Sequence, residues 1–141
     1  MQKGNVIALA SRITEAAHKL IIRELESYGI EGIVPSHGGI LALLFTGKKY
    51  TMKDLAEEIH RTKPTVTVLV NKLVDLGYVT RERSYEDSRV TFISLTAKGL
   101  ALAPVFMEVS QEVNAVVYKD LSNEEAVYLE NMLEKIKRNL N

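Results

Sequence analysis

Hydrogen-bonding side chains recur at short intervals between residues 62 and 72, together with two lysines. The hydroxyl and amide groups belong to Thr62, Thr65, Thr67 and Asn71, and the ammonium groups belong to Lys63 and Lys72. Hydroxyls and amides can hydrogen-bond to the edges of nucleic-acid bases, and lysines can neutralise phosphates. The alternative is a structural role, in which Thr62 caps a helix, Thr65 bonds back to the main chain and Asn71 is a solvated surface amide.

A second candidate cluster contains Arg81, Arg83, Asp87 and Arg89. An aspartate separated from an arginine by one residue can orient the guanidinium while a turn projects it outward. A projecting arginine is the side chain that a narrow minor groove of DNA attracts. The alternative is a local salt bridge that stiffens the loop, worth at most about 1 kcal/mol on a surface.

The spacing of apolar residues predicts the elements that position these two clusters. The predicted helices cover 6–25, 35–45, 51–60 and 62–76, and the strands of a hairpin cover 79–83 and 90–95. Thr51 and Asp54 form a capping box, and Gly29 and Gly77 are expected helix stops. Helix, short helix, turn, helix and hairpin in this order is a winged helix-turn-helix, with the helix over 62–76 as its recognition helix.

The C-terminal third is predicted to be helical. Thr96 caps the start of this region and Ser122 begins its second helix, while Pro104 should kink the first helix near Leu100. We therefore predict a mainly α fold with a small β-hairpin wing, in which a winged helix-turn-helix is flanked by N- and C-terminal helices.

Net charge gives no argument for a polyanionic partner, since 18 Lys and Arg balance 18 Asp and Glu over 141 residues. Between residues 48 and 89, nine basic residues accompany seven acidic ones, so the positions of the charges matter more than their sum. No stretch approaches about 20 uninterrupted apolar residues, and the N-terminus lacks a secretory signal. We expect an intracellular, cytoplasmic protein that does not enter a membrane.

Several classes of chemistry are excluded or disfavoured. The absence of cysteine removes disulfides, thiolate nucleophiles and cysteine-based redox sensing. The scattered residues His18, His37 and His60 lack metal-ligand spacing, so neither a metal nor a cofactor is expected. No nucleophile and base pair, phosphate-binding loop or carboxylate dyad predicts an enzyme.

The segment from Asp87 to Gly99, DSRVTFISLTAKG, resembles the wing signature of the MarR-type (multiple antibiotic resistance regulator) transcription factors. That signature is Asp, any residue, Arg, and then a strand that ends in Leu-Thr-x-x-Gly. The resemblance covers nearly the whole chain. Further matching positions are Leu55-Ala56, Thr65-Val66-Thr67, Val70, Leu73 and Gly77-Tyr78-Val79-Thr80-Arg81.

The resemblance implies a homodimeric regulator that binds a palindromic operator in double-stranded DNA. The family contains repressors and activators, and we expect a repressor. It implies dimerisation helices over 1–34 and 97–141 and a DNA-binding lobe over 35–96. The unpartnered apolar stripes of the terminal helices agree with intertwining of two copies. The family's wing arginine, which corresponds to Arg89, reaches the minor groove beside the recognition helix.

The family also typically senses a small aromatic or phenolic ligand in a cleft between the dimerisation helices and the DNA-binding lobe. His37 and Gly38 lie where that cleft is lined and are the candidate ligand contacts. For His37 the structural alternative is a helix cap or a packing contact. A different function also stays open, namely a winged helix that docks protein and does not bind specific DNA.

Overall fold

The computed structural model describes residues 4–141. Its elements are α1 (Val6–Ser27), α2 (Pro35–Leu44), β1 (Tyr50–Thr51), α3 (Met52–Ile59), α4 (Lys63–Asp75), β2 (Val79–Arg83), β3 (Thr91–Leu95), α5 (Ala97–Leu100), α6 (Leu102–Val117) and α7 (Asn123–Leu140). This order confirms the predicted winged helix-turn-helix with helices on both sides. The wing is the hairpin of β2 and β3, and the winged lobe is the region from α2 to β3.

Several helix ends lie at the predicted capping residues. Thr51 Oγ1 accepts the N–H of Asp54 at 3.1 Å, and the Asp54 carboxylate accepts the N–H of Thr51 at 3.2 Å. Ser122 and Glu125 form the same reciprocal pair at the start of α7. After α4 the backbone of Gly77 has φ +84°, which lets the chain leave the helix and enter β2.

The sheet has one strand more than the sequence predicts. β2 and β3 pair antiparallel from Val79 opposite Leu95 to Arg83 opposite Thr91. β1 adds to the other edge of β3, with Tyr50 opposite Ile93, so the strand order is β1-β3-β2. A strand of two residues is too short to show alternating hydrophobicity, which is why β1 is missing from the prediction.

The core of the winged lobe is completely closed to solvent at several positions. Fully buried side chains come from each layer of the lobe, and they are Ile40, Leu41, Leu55, Val66, Val70, Leu73 and Ile93. Burial of one such side chain is worth about 1.5–3 kcal/mol. The core therefore holds α4 and the wing in fixed positions relative to each other.

The Leu-Thr-x-x-Gly part of the wing signature fastens α5 to the end of α4. Thr96 Oγ1 donates to the carbonyl of Gly77 at 2.6 Å and accepts the N–H of Gly99 at 3.1 Å. A Cβ at Gly99 would lie 2.0 Å from the carbonyl oxygen of Tyr78, so only glycine fits there. Lys98 Nζ donates to the carbonyl of Leu76 at 2.7 Å. These residues form a structural clasp, and none of them is a predicted site residue.

The helical region after β3 is interrupted near the predicted kink. α5 ends at Leu100 and α6 begins at Leu102, and Leu100 is four residues before Pro104, where the proline ring meets the preceding turn. The combined segment Ala97–Val117 has 21 residues, and an 18-residue window within it has mean hydropathy 1.2, so by length and composition alone it could cross a membrane. Glu108 and Glu112 interrupt its apolar run, and α6 packs against α1.

Candidate nucleic-acid interface

α4 presents one face to the core and another to solvent. Val66, Val70 and Leu73 are fully buried, whereas Thr65, Val68 and Asn71 are exposed. The three exposed residues are spaced three apart and lie on one side of the helix, and we call them the outer stripe. The outer stripe is the part of α4 that can meet a nucleic-acid groove.

The first turn of α4 uses several of the predicted site residues for its own structure. Thr62 Oγ1 accepts the N–H of Thr65 and donates its hydrogen to Thr65 Oγ1 at 2.9 Å. Thr65 therefore keeps its own O–H as a donor. Thr67 Oγ1 donates to the carbonyl of Lys63 at 3.0 Å, four residues back along the helix. The hydroxyls of Thr62 and Thr67 thus serve the helix, while that of Thr65 can still donate outward.

A hydrogen bond joins α4 to the wing. Arg81 Nη2 on β2 donates to Asn71 Oδ1 on the outer stripe. Both residues are exposed. The sequence predicts each of them as a site residue, and the structure brings them together at the junction of helix and hairpin.

Charges on β2 are separated by the alternation of side chains along a strand. Arg81 and Arg83 share the face of the sheet that packs toward α4, and Glu82 lies on the opposite face. Lys49 Nζ donates to Glu82 Oε2 at 2.7 Å, which lowers the pKa of that carboxyl. The Glu82 carboxylate therefore points away from both arginines and is paired with Lys49.

The turn of the wing holds Arg89 in a defined direction. Arg89 Nε donates to Asp87 Oδ1 at 3.1 Å and Nη2 donates to Oδ2 at 3.2 Å, a bidentate pair. The Arg89 side chain is nevertheless 89 % exposed. Hydrogen bonding from Arg89 lowers the pKa of the Asp87 carboxyl, so the pair stays charged at neutral pH. This is the geometry that the Asp-x-Arg spacing predicts.

Lys72 lies apart from the other predicted residues. An ideal Cβ on Gly32 would be 3.4 Å from Lys72 Cε and 3.7 Å from Nζ, so the side chain lies along the loop before α2. Its charge also helps to lower the pKa of His37, after the larger effect of burial. Its contact with phosphate stays a prediction.

Two exposed residues of the candidate interface are not predicted from the sequence. Val68 is 69 % exposed in the middle of α4, and Tyr85 at the wing turn is fully exposed. A valine in a helix is normally assigned to the core, and the signal that could have placed Val68 outside is its spacing of three from both Thr65 and Asn71. No comparable pattern marks Tyr85.

A second candidate site is a cavity of 680 Å³ between α1, α2 and α6. Its lining is mainly apolar, with Ser110 and Asn114 as polar members. Gly38 lines the cavity, and a Cβ there would be 3.7 Å from the Phe106 ring. A volume of this size accommodates a small organic molecule.

His37 does not line the cavity. It caps a helix, which is the structural alternative that the sequence offers. It is 5 % exposed, and its Nδ1 accepts the N–H of Val34 at 2.9 Å, which caps the start of α2. Burial lowers the pKa of the imidazole, and the positive charge of Lys72 lowers it further. Val34 lines the cavity, so its hydrogen bond to His37 helps to fix the cavity wall. Within residues 4–141 no group of three His, Asp or Glu side chains is placed to hold a metal ion.

Residues 31–90 match the model of the MarR family. The chain is 33 % identical over 97 residues to the HTH-type transcriptional regulator SarZ of Staphylococcus saprophyticus, an alignment that spans 67 % of this chain and 66 % of that protein.

Among solved structures, the fold is similar to the S. aureus MepR–DNA complex with a TM-score of 0.87 and 25 % identity, over 99 % of this chain and 100 % of that one. It is also similar to a MarR transcriptional regulator from Methanosarcina mazei, with a TM-score of 0.79 and 26 % identity over 96 % of each chain.

Proposed function

The chain belongs to the MarR family of transcriptional regulators, and on this basis we propose that it is a homodimeric repressor that binds a palindromic DNA operator and is released by a small ligand. Proteins of this family regulate transcription and are not enzymes. A cytoplasmic location follows from that role and is part of the proposal.

The observation that carries the DNA-binding proposal is the hydrogen bond from Arg81 to Asn71. It places the outer stripe of α4 beside the base of the wing, and the core of the lobe holds the two elements together, so one surface can meet a major groove and the adjacent minor groove. In this proposal Thr65 and Asn71 face base edges, Lys63, Arg81 and Arg83 face phosphates, and Arg89 enters the minor groove. The likeness to MepR, which was solved with DNA, supports the same assignment.

Exposed apolar residues on the terminal helices support the dimer. α7 has 18 residues and none of them is buried. Its stripe includes Leu129 and Leu133, and Ile7 and Ile13 on α1 are 69 % and 60 % exposed. Single chains rarely leave such surface uncovered. We therefore assign the predicted segments 1–34, of which residues 1–3 lie outside the described residues, and 97–141 to a two-fold interface that places two winged lobes on one operator.

The cavity between α1, α2 and α6 supports the ligand part of the proposal. Two of the helices that line it belong to the proposed dimer interface, and the third, α2, belongs to the winged lobe and packs against α4. A ligand that binds better when these elements are apart would change the spacing of the two α4 helices and weaken operator binding.

Selection of bound fragments from the host genome, followed by affinity measurements on the best fragment, tests the proposal. Arg89→Ala should weaken binding by at least about tenfold and reduce its salt dependence, because a guanidinium that displaces counterions is lost. Arg89→Lys keeps the charge, and its operator affinity should lie between those of the parent and Arg89→Ala. Lys19→Ala on α1, which also removes one exposed positive charge but lies outside the winged lobe, is the matched control. Once sedimentation shows that it is still a dimer, it should bind as the parent does.

Failure of the parent protein to bind any fragment would contradict the proposal and favour a winged helix that docks protein. Unchanged affinity in a folded, dimeric Arg89→Ala protein would contradict the role of the wing.

A further inference from the structure

Val68 has no evident role in the fold of the chain. It is 69 % exposed, although the neighbouring Val66 and Val70 on the same helix are fully buried. A β-branched residue on a solvent-facing helix position lowers helix propensity and exposes apolar surface to water. Stability therefore gives no reason for valine at this position.

The surroundings of Val68 are polar. It lies at the centre of the outer stripe, three residues after Thr65 and three before Asn71, both of which are exposed. Thr65 Oγ1 accepts from Thr62 and keeps its O–H as a donor. An apolar group between hydrogen-bonding groups suits a partner surface that has an apolar group at the matching place.

Asn71 adds a restriction on the hydrogen bonds that the outer stripe can make. Its Oδ1 accepts from Arg81 Nη2 and keeps one lone pair, whereas Nδ2 keeps both of its N–H donors. The outer stripe thus presents donors on either side of the two methyl groups of Val68.

Thymine matches this arrangement among the bases exposed in the major groove. It presents an acceptor, O4, next to an apolar C5-methyl group, whereas cytosine presents a donor at the corresponding position. We propose that Val68 contacts the C5-methyl of a thymine in each operator half-site and is a specificity-determining residue. The inference rests on the proposed DNA-binding function and names the base that α4 reads.

The test replaces thymine by uracil, which removes only the methyl group. Each thymine of the selected operator is replaced in turn, symmetrically in both half-sites, and the dissociation constant is measured for the parent and for Val68→Ala. At one position the parent should lose about fourfold per half-site, and about fifteenfold for the symmetric operator, from the loss of one buried methyl at each contact. Val68→Ala should bind the thymine operator more weakly and should not distinguish thymine from uracil at that position.

Controls separate recognition from folding. The melting temperature of Val68→Ala should not fall, because alanine is the better helix former and the valine is exposed. Thr65→Ala removes a neighbouring donor from the outer stripe and should keep the parent's sensitivity to the methyl group, since Val68 remains.

Three outcomes would overturn the inference. A parent protein indifferent to every thymine-to-uracil change would do so while leaving the DNA-binding proposal intact. Equal methyl sensitivity in parent and Val68→Ala would move the contact to another residue. Absence of operator binding by the parent would overturn both this inference and the proposed function.

Discussion

The winged lobe and the terminal helices differ in how much apolar surface the single chain buries. In the lobe, side chains from α2, α3, α4 and β3 reach zero exposure. In α7 no residue is buried, and in α1 only Leu25 is. The lobe therefore completes its own core, whereas the terminal helices have apolar surface to bury against a second copy.

The winged lobe and α7 also use their polar groups differently. In the lobe, side-chain hydrogen bonds connect separate elements, as Arg81 connects β2 to α4 and Ser94 connects β3 to Glu82 on β2. In α7 the side-chain hydrogen bonds stay within the helix or its cap. Substitutions in the lobe should therefore affect folding and DNA reading, and substitutions on the apolar face of α7 should affect assembly.

The largest effect is expected from charge on the apolar stripe of α7. Leu129→Asp combined with Leu133→Asp should convert the protein to a monomer and weaken operator binding by about 100-fold or more, because one chain then meets one half-site at a time. Sedimentation velocity measures the conversion to a monomer, and affinity measurements give the loss of operator binding. Asn131→Asp adds the same charge on the opposite side of the helix and should leave the dimer intact.

A matched pair of glycines tests the clasp that fastens α5 to the winged lobe. Gly99→Ala should lower the free energy of unfolding by about 2–4 kcal/mol, since the new Cβ would lie 2.0 Å from the Tyr78 carbonyl oxygen. Gly39→Ala puts the same methyl 3.5 Å from Ile59, an ordinary contact inside a helix, and should raise stability by up to about 1 kcal/mol. Urea unfolding of both variants measures the difference. Equal stabilities would contradict the account of the clasp.

A smaller effect is expected from the turn of the wing. Asp87→Ala leaves the charge of Arg89 in place and removes its orientation, so operator affinity should fall by about threefold to tenfold. The fold and the dimer should be unchanged by circular dichroism and sedimentation. A loss as large as that of Arg89→Ala would mean that Arg89 acts only when the aspartate holds it.

The pH dependence of this pair has a definite sign. The pKa of Asp87 in the folded protein lies below its ordinary value of 3.8, so its contribution to stability is present at neutral pH and is lost as pH falls through the folded pKa. An NMR titration of the carboxyl should therefore give a midpoint below 3.8. In Arg89→Ala the midpoint should rise but stay depressed, because the backbone N–H of residue 89 still donates to the carboxylate.

Local patterns predicted the elements of this fold, because caps, helix stops and hairpin turns depend on residues close together in the chain. Thr51 with Asp54, Ser122 with Glu125 and Gly77 are examples, and each acts within a few residues of the helix end it defines. β1 was missed because its pairing with β3 joins residues about 40 positions apart in the sequence, and a two-residue strand has no pattern of its own.

In the candidate site, too, contacts between neighbouring residues are predictable from the sequence. The pair of Asp87 and Arg89 is one of these. The hydrogen bond between Asn71 and Arg81, the displacement of Lys72 toward Gly32 and the outward position of Val68 depend on how α4 packs against the other elements. The sequence leaves His37 open between a ligand contact and a helix cap, and its bond to the N–H of Val34 depends on how the histidine packs in the fold.

The stoichiometry of the complex with DNA tests the central claim most directly, namely that two winged lobes of one dimer meet one duplex. Sedimentation equilibrium of the parent protein with the full operator should give two chains per duplex. A duplex that carries one half-site should bind at least about 100-fold more weakly. Binding of a single chain to one half-site with the full affinity of the operator, or the absence of binding to either duplex, would contradict the account.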